Sequence, residues 1–250
     1  MNTGPVTCWP VTSLVITGTG TDVGKTVVTA AIAALARAAG KRVAVLKPAQ
    51  TGLLPGEPGD LAVIKRLAGD VTTRELVRYP DPLGPEAAAR RAGLPALHPA
   101  QIAAAATDLD TAHDLVLIEG AGGLLVRFDE HGATLADVAW SLGAPVLLVS
   151  QAGLGTLNTT ALSAEALVRR GLECVGVVVG RWPAEPDLAA RSNLIDLPVV
   201  AGAPLLGVLP DGIADLPPAE FHAIAAESLS PWLDGDFDPG SFTARQTARM

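Results

Sequence analysis

Residues 14–26 read LVITGTGTDVGKT, an apolar run that leads into a glycine-rich loop and then into helical sequence. The glycines permit a tight backbone whose N–H groups converge on a phosphate, and the following helix N-terminus adds partial positive charge. Lys25 supplies a cation for the outer phosphates, and the Thr26 hydroxyl is a suitable ligand for Mg²⁺. The stretch therefore predicts a buried strand, a phosphate-binding loop and a helix.

The loop is a variant of the usual phosphate-binding pattern. Five residues separate Gly18 from Gly24, one more than usual, and Thr19 stands at the usual glycine position. A dinucleotide-binding interpretation fails because Val23 stands where the third glycine belongs. A plain glycine-rich turn with a surface lysine is disfavoured by the strand before it and the helix after it. The predicted nucleotide contacts of the loop are Asp22, Val23, Gly24, Lys25, Thr26 and Val27.

Composition places the chain among globular proteins. Of its 250 residues, 49 % are hydrophobic and 18 % are charged, a mixture that argues against disorder. The formal net charge of −8 disfavours nucleic acid as a partner, because an acidic surface repels phosphate backbones. No uninterrupted apolar run is long enough for a bilayer, so no membrane partner is expected. Cys8 and Cys174 form no disulfide framework, which predicts a reducing, cytoplasmic location.

Short apolar runs alternate with alanine-rich stretches of helical character. This alternation predicts an α/β fold, a mostly parallel β-sheet with helices on both faces, of the P-loop NTPase type. The predicted strands are Leu14–Thr17, Val43–Leu46, Leu115–Ile118, Val146–Val149, Val175–Val179 and Leu205–Leu209. The predicted helices are Lys25–Ala38, Leu61–Leu67, Gln101–Asp108, Leu135–Leu142 and Leu157–Arg169.

The chain shows no linker or internal repeat, so residues 1–250 are predicted to form a single domain. The proline-rich stretch Tyr79–Pro99 predicts a long loop around a short helix near Glu86–Ala92. Residues 1–10 and 232–250 are expected to be loosely held termini.

An acidic residue stands at the carboxyl end of a predicted strand. Residues 114–123 read DLVLIEGAGG, so Glu119 follows an apolar run and precedes glycines. In open parallel sheets, ligands collect beyond the carboxyl ends of the strands. Glu119 at this place can hold Mg²⁺ directly or through water, and the backbone of Gly120, Ala121 and Gly122 can approach a phosphate. The alternative is an acid that only caps the following turn.

Three further motifs admit both a functional and a structural interpretation. Residues 43–52 read VAVLKPAQTG, which places Lys47 at a strand end, where it is either solvated or part of the phosphate site. Asp60 opens a helix, either as a bare N-cap or as a further Mg²⁺ ligand. Residues 153–158, GLGTLN, precede a helix, so they form an anion site or supply caps alone.

Four motifs occur in this chain in one order: the phosphate loop, KPAQTG at 47–52, EGAGG at 119–123 and GTLN at 155–158. Together they closely resemble the dethiobiotin synthetase family, ATP-dependent enzymes of biotin synthesis, over about residues 11–210. The resemblance implies a ligase that joins 7,8-diaminopelargonate (7,8-diaminononanoate) and CO₂ into the cyclic urea of dethiobiotin. One amine forms a carbamate, ATP phosphorylates it to a carbamic-phosphoric anhydride, and the second amine closes the ring with release of phosphate.

The resemblance also implies roles for residues. Lys47 and Lys25 are the expected catalytic cations beside the transferring phosphoryl group, and Mg²⁺ is expected on Thr26, Asp60 and Glu119. Further nucleotide contacts are expected from Gly180, Arg181, Pro210, Asp211 and Gly212.

The substrate position follows from the same resemblance. The diamine or its carbamate is expected beside Asp22 and Thr51. Its far carboxylate is expected on the backbone of Gly155, Thr156, Leu157 and Asn158. In the family this anchor comes from the partner subunit, which implies a homodimer with shared active sites.

Two places depart from the family pattern. Some relatives carry an asparagine at the end of the fifth strand that reads the adenine amino group, and the matching residue here is Gly180. The second base-contacting loop is matched only at Pro210. The sequence therefore does not determine which base of the nucleoside triphosphate the site accepts.

Two rival functions share the predicted fold. A partition- or division-type ATPase switch carries an extra lysine early in the loop, where this chain has Gly20. A cobyrinate-type amide ligase usually has an appended glutamine-hydrolysing domain with a nucleophilic cysteine. Neither Cys8 nor Cys174 has such a context, so the synthetase interpretation is favoured over both.

Overall fold

The computed structural model describes residues 12–248. Over this range the chain forms a seven-stranded sheet in which every pair of neighbouring strands is parallel. The strands are β1 (Ser13–Gly18), β2 (Val43–Thr51), β3 (Thr72–Tyr79), β4 (Leu115–Gly123), β5 (Val146–Ser150), β6 (Cys174–Trp182) and β7 (Leu205–Pro210). The predicted parallel sheet is confirmed.

Helices cover both faces of this sheet, as predicted. They are α1 (Lys25–Ala38), α2 (Asp60–Ala68), α3 (Pro85–Ala92), α4 (Pro99–Asp110), α5 (Leu135–Leu142), α6 (Thr156–Val168), α7 (Leu188–Ala201), α8 (Pro218–Ser228) and α9 (Pro239–Thr247). Short 3₁₀ turns lie at Ile213–Asp215 and Pro231–Leu233. The predicted helix near residues 86–92 is confirmed as α3.

The strand order is β3-β2-β4-β1-β5-β6-β7. The chain first builds outward on one side of β1 and later continues from β5 on the other side, so β1 lies at the point where the strand order reverses. Crevices beyond the carboxyl ends of strands open at such a point. This topology places the loop after β1 at the centre of the carboxyl edge of the sheet.

Two apolar layers enclose the sheet. On one face, α1, α2 and α8 bury side chains such as Ile32, Ile64 and Phe221 against the strands. On the other face, α3, α4, α5 and α6 pack residues such as Ile102 and Leu167. Because the strands are covered on both sides, their apolar runs do not alternate with polar residues, which is why they were recognisable in the sequence.

The structure adds elements that the sequence pattern did not predict. Strand β3 lies at the sheet edge, and its sequence TTRELVRY is polar because much of it is partly exposed. Helices α7, α8 and α9 were also missed. Helix α7 contains Pro198, a residue that normally argues against a helix interior.

The prediction of a loosely held C-terminus from residue 232 is wrong over the described residues. Leu233 is completely buried against the α1 face, and Phe237 is 5 % exposed in a third apolar cluster with Trp182. The Phe242 ring packs edge-on against Trp182 with centroids 5.6 Å apart. Aromatic anchors therefore hold this segment on the sheet. The prediction for residues 1–10 lies outside the described residues.

Candidate active site

The phosphate-type loop connects β1 to α1 over a tight backbone. Gly24 has φ +96°, a left-handed conformation that a side chain disfavours, and Asp22 also has a positive φ of 57°. The Lys25 ammonium lies over the loop and donates to the Gly20 carbonyl at 2.9 Å. The loop therefore curls around a lysine that is 8 % exposed, at the N-terminus of α1.

Lys47 lies where two strands of the sheet separate. The pairing of β2 with β4 ends at Leu46 and Ile118, whereas β2 continues beside β3 as far as Thr51. Lys47 and Glu119 are the next residues on β2 and β4. The opened gap therefore receives a lysine from one strand and a carboxylate from the other.

A buried network joins Lys47 to two carboxylates. Its ammonium lies 2.5 Å from Asp60 Oδ2 and 2.8 Å from Glu119 Oε1, and it donates to the Gly120 carbonyl at 3.2 Å. Glu119 Oε1 also accepts a hydrogen bond from the Thr26 hydroxyl at 3.0 Å. Glu119 is completely buried, and its Oε2 has no hydrogen-bond partner among residues 12–248. The network thus contains a buried, unpaired acceptor.

Burial and neighbouring charges shift the pKa values of the two lysines in opposite directions. Burial alone lowers the pKa of Lys47, but the charges of Glu119 and Asp60 outweigh it, so the pKa lies above its ordinary value. Burial, followed by the nearby charge of Lys47, lowers the pKa of Lys25. Lys47 is therefore held as an ammonium by its own carboxylates, whereas Lys25 gains from any anion that enters the loop.

These elements surround one cavity of about 500 Å³ at the carboxyl edge of the sheet. Most residues predicted for the site line it. They are Asp22, Gly24, Lys25, Thr26, Val27, Lys47, Thr51, Asp60, Glu119, Gly120, Ala121, Gly122, Gly180, Arg181, Pro210, Asp211 and Gly212. The structure thus brings the phosphate loop, both lysines and both carboxylates to a single space.

Five predicted residues do not line this cavity. The Val23 side chain is 1 % exposed and belongs to the apolar core beneath the loop. The other four, Gly155, Thr156, Leu157 and Asn158, lie at the start of α6 and do not line the cavity of their own chain. Thr156 is buried and its hydroxyl donates to the Gln151 carbonyl at 2.7 Å. Within one chain, the predicted carboxylate anchor is therefore separate from the lysine network.

Sequence reasoning missed other lining residues, namely Thr21, Ala49, Gln50, Ile213, Ala214 and Asp215. Gln50 is the most informative of these, because its Oε1 accepts a hydrogen bond from the Asp60 backbone N–H at 3.0 Å. Its place between Lys47 and Thr51 in the motif was the available signal. The 3₁₀ turn at 213–215 had no recognisable sequence pattern.

Gly180 supports the phosphate loop by close packing. A Cβ at this position would lie 2.2 Å from the Val23 carbonyl oxygen, and one at Gly24 would lie 2.5 Å from the Gly180 oxygen. The two backbones therefore meet directly, with no space for a side chain at residue 180. The neighbouring Arg181 and Asp211 pair at 2.9 Å on the exposed rim of the cavity.

Residues 12–248 contain neither a preassembled metal cluster nor a membrane-spanning helix. No group of three or more His, Cys, Asp or Glu side chains forms a preassembled metal cluster. No helix in this range has the length and apolarity needed to cross a membrane.

Comparison with known proteins identifies the family. The AAA domain family matches residues 12–214. A protein from Streptomyces coelicolor named ATP-dependent dethiobiotin synthetase BioD is 62 % identical over 232 residues, covering 93 % of this chain and 98 % of its own. One of the same name from Saccharopolyspora erythraea is 67 % identical over 222 residues, covering 89 % and 97 %.

A solved structure of the septum site-determining protein MinD from Pyrococcus horikoshii, complexed with Mg-ADP, is similar in fold. It superposes with a TM-score of 0.56 at 18 % identity, over 89 % of this chain and 93 % of that one. Likeness at this identity shows the shared fold alone, and it gives no support to the division-type ATPase alternative. The much higher identity to the synthetases over nearly their full length shows that the chain belongs to the ATP-dependent dethiobiotin synthetase family.

Proposed function

We propose that the cavity at the carboxyl edge of the sheet catalyses ATP-dependent closure of the dethiobiotin ring. The reactants are 7,8-diaminopelargonate, CO₂ and ATP or another nucleoside triphosphate. A carbamate oxygen attacks the γ-phosphorus and the nucleoside diphosphate leaves. The second amine then attacks the carbamoyl carbon, and phosphate leaves with the former carbamate oxygen. The observation that carries this proposal is the buried Lys47 ammonium, which shares a cavity with the phosphate loop.

The protein contributes two positioned ammonium groups to this reaction. The carbamate and the terminal phosphate are both anions, so they repel each other as they approach. Lys25 on the loop and Lys47 on β2 supply ammonium groups from two walls of the cavity. Preorganised charges of this kind stabilise a phosphoryl-transfer transition state without reorganisation at the moment of reaction.

The same network fits a magnesium ion. Lys25 and Lys47 are balanced by Asp60 and Glu119, so the residues alone bring little net positive charge to a triphosphate. The buried, unpaired Glu119 Oε2, with Asp60 and the Thr26 hydroxyl, offers the oxygen ligands that Mg²⁺ prefers alongside phosphates. Thr26, Asp60 and Glu119 would hold the ion, whose chemistry is to neutralise charge on the β- and γ-phosphates.

We also propose a homodimer in which each active site uses both chains. The carboxylate anchor at residues 155–158 does not line the cavity of its own chain. Exposed apolar side chains lie near it and on the neighbouring α6 and α7, namely Leu154, Leu162, Val168, Leu188, Ile195 and Val199. A second copy covering this surface would bury it and bring the anchor to the partner's cavity. The cytoplasmic location stays a prediction.

One product assay tests the reaction. The chain is incubated with diaminopelargonate, bicarbonate, Mg²⁺ and each nucleoside triphosphate in turn, and dethiobiotin is measured by mass spectrometry together with released phosphate. We expect both products in equal amounts. Phosphate release without the cyclic urea, with every nucleotide tried, would refute the proposed reaction.

A mixed dimer tests the shared site. Lys47→Met and Asn158→Asp each inactivate every site of their own homodimer if the proposal is right. In an equal mixture whose subunits exchange freely, about half of the dimers are mixed and each of these regains one intact site, so activity returns to about one quarter of the natural level. A mixture that stays inactive although mass measurement shows mixed dimers would overturn the shared site.

A further inference from the structure

Asp60, which pairs with Lys47, is the first residue of α2, and an exposed loop precedes this helix. Residues 54–58 between β2 and α2 are all exposed. The residue before the helix, Gly59, has no side chain to cap it, so the Asp60 N–H at the first helical position finds no acceptor on residue 59. The position of Asp60 must therefore be determined by contacts from outside the helix.

Gln50 supplies this contact from the neighbouring strand. Its side chain is 7 % exposed, and its Oε1 accepts the Asp60 N–H at 3.0 Å. The nitrogen of the same amide is held as well, because Gln50 Nε2 donates to the Thr51 carbonyl at 3.3 Å. Both polar atoms of the Gln50 amide are therefore hydrogen-bonded, between a strand that carries Lys47 and a helix that carries Asp60.

Gly59 is matched to this cap. A Cβ at residue 59 would lie 2.6 Å from Gln50 Oε1, so the cap from β2 and a side chain at residue 59 exclude each other. The backbone of Gly59 is extended, with φ −106°, and any residue can adopt it. Glycine is therefore required here by the space that Gln50 occupies and not by its conformation.

We infer that Gln50 is a positioning residue for the reaction: it caps α2 from β2 and so holds the Asp60 carboxylate against the Lys47 ammonium. This inference rests on the proposed roles of Asp60 and Lys47. Displacement of a network carboxylate by about 1 Å is enough to cost 10- to 100-fold in activity. Gln50 itself acts through Asp60 and needs no contact with the reacting atoms.

The first test separates positioning from general stability. Gln50→Met keeps the length of the side chain and removes the acceptor, and we expect kcat to fall about 10- to 100-fold. Gln101→Met is the matched control, because Gln101 Oε1 accepts the His98 N–H at 2.9 Å at the start of α4, outside the cavity lining. This control should lower the melting temperature and leave kcat per folded enzyme unchanged.

The second test is a coupling measurement. If Gln50 acts through Asp60, the combination of Gln50→Met with Asp60→Asn should be no slower than Asp60→Asn alone. Multiplicative losses in the double variant would instead mean that the two residues act independently, and would overturn the inference.

The third test moves the helix cap from Gln50 on β2 to residue 59, directly before α2. Gly59→Ser alone should impair kcat, since its side chain meets Gln50 Oε1. In the Gln50→Ala background this contact is gone, and only the end of the flexible Arg78 side chain, 3.2 Å from the Cβ position, has to shift. A serine at the N-cap position can then cap α2 locally, so the double variant should recover most of the lost kcat. Recovery of kcat when the two harmful substitutions are combined would not arise from a loss of folded protein.

The outcomes distinguish this inference from the proposed function. A fully active Gln50→Met enzyme beside an impaired Asp60→Asn enzyme overturns the inference and leaves the site proposal intact. A fully active Asp60→Asn enzyme overturns the proposed role of Asp60 and the inference with it. Circular dichroism melts and substrate KM, measured for every variant, report the folded fraction and ground-state binding separately.

Discussion

Replacing Lys47 with methionine is the sharpest perturbation of this site, because it removes a charge and keeps most of the side-chain volume. The Lys47 ammonium lies 2.5 Å from Asp60 and 2.8 Å from Glu119 and is almost completely buried. Its loss leaves both carboxylates without their cation. Two effects follow, one on stability and one on turnover, and they can be measured separately.

The effect on stability comes mainly from Glu119. Asp60 has a side chain that is 33 % exposed, so water can compensate its charge, whereas Glu119 is completely buried and keeps only the Thr26 hydroxyl. Removing one partner of a buried ion pair typically costs about 3–5 kcal/mol, and partial solvation of Asp60 places Lys47→Met near the lower end. Adding Glu119→Gln neutralises the stranded charge and should recover more than half of this loss.

The effect on turnover should not be recovered. Loss of one preorganised charge at a phosphoryl-transfer site costs on the order of 10²–10³ in kcat. Both Lys47→Met and the double variant with Glu119→Gln should therefore be slow, although only the single variant is unstable. Urea unfolding gives the stability, a coupled assay of phosphate and dethiobiotin gives kcat, and titration calorimetry gives nucleotide affinity. A Lys47→Met enzyme that keeps more than one tenth of natural kcat would refute the reasoning.

Three further predictions concern packing and burial. Gly180→Ala should weaken nucleotide binding and destabilise the fold by about 1–3 kcal/mol, because its Cβ would lie 2.2 Å from the Val23 oxygen. Gly240→Ala is the unhindered control. Calorimetry that shows unchanged nucleotide affinity for Gly180→Ala would contradict this prediction. Phe237→Ala should cost about 3–5 kcal/mol of unfolding free energy in urea, whereas a loosely held tail would lose almost none. Burial raises the pKa of Cys174 from 9.0 to about 11, and only the thiolate is alkylated. In a Cys8→Ser variant, the alkylation rate at pH 8 should thus be about 100-fold below that of a free thiol and rise as the pH approaches 11; a rate already constant above pH 9 would disprove the burial effect.

Features that neighbouring residues encode were predicted from the sequence, and features that depend on few or scattered residues were not. The loop at residues 18–25 and the buried strands were predicted correctly, because glycines and apolar runs act on their own neighbours in the chain. Strand β3 escaped because an edge strand needs no continuous apolar run. The tail escaped because the residues that hold it, including Phe237 and Phe242, are few and far apart in a polar stretch.

The sequence by itself determined the family, the phosphate-type loop and the identity of the charged residues at strand ends. Each of these is encoded within a short segment, and the order of the segments is specific. It left open whether Lys47 is solvated and whether Asp60 is only a cap, since both interpretations fit the same local pattern.

Only the tertiary structure shows that Lys47 is buried and that Asp60 forms an ion pair with it. Lys47 and Glu119 are 72 residues apart in sequence, and they meet because β2 and β4 are neighbours whose pairing ends just before them. The cap of Asp60 by Gln50 and the contact of Gly180 with the phosphate loop arise in the same way. Such contacts depend on which strands lie side by side and where they separate, and the packing of the whole sheet determines both.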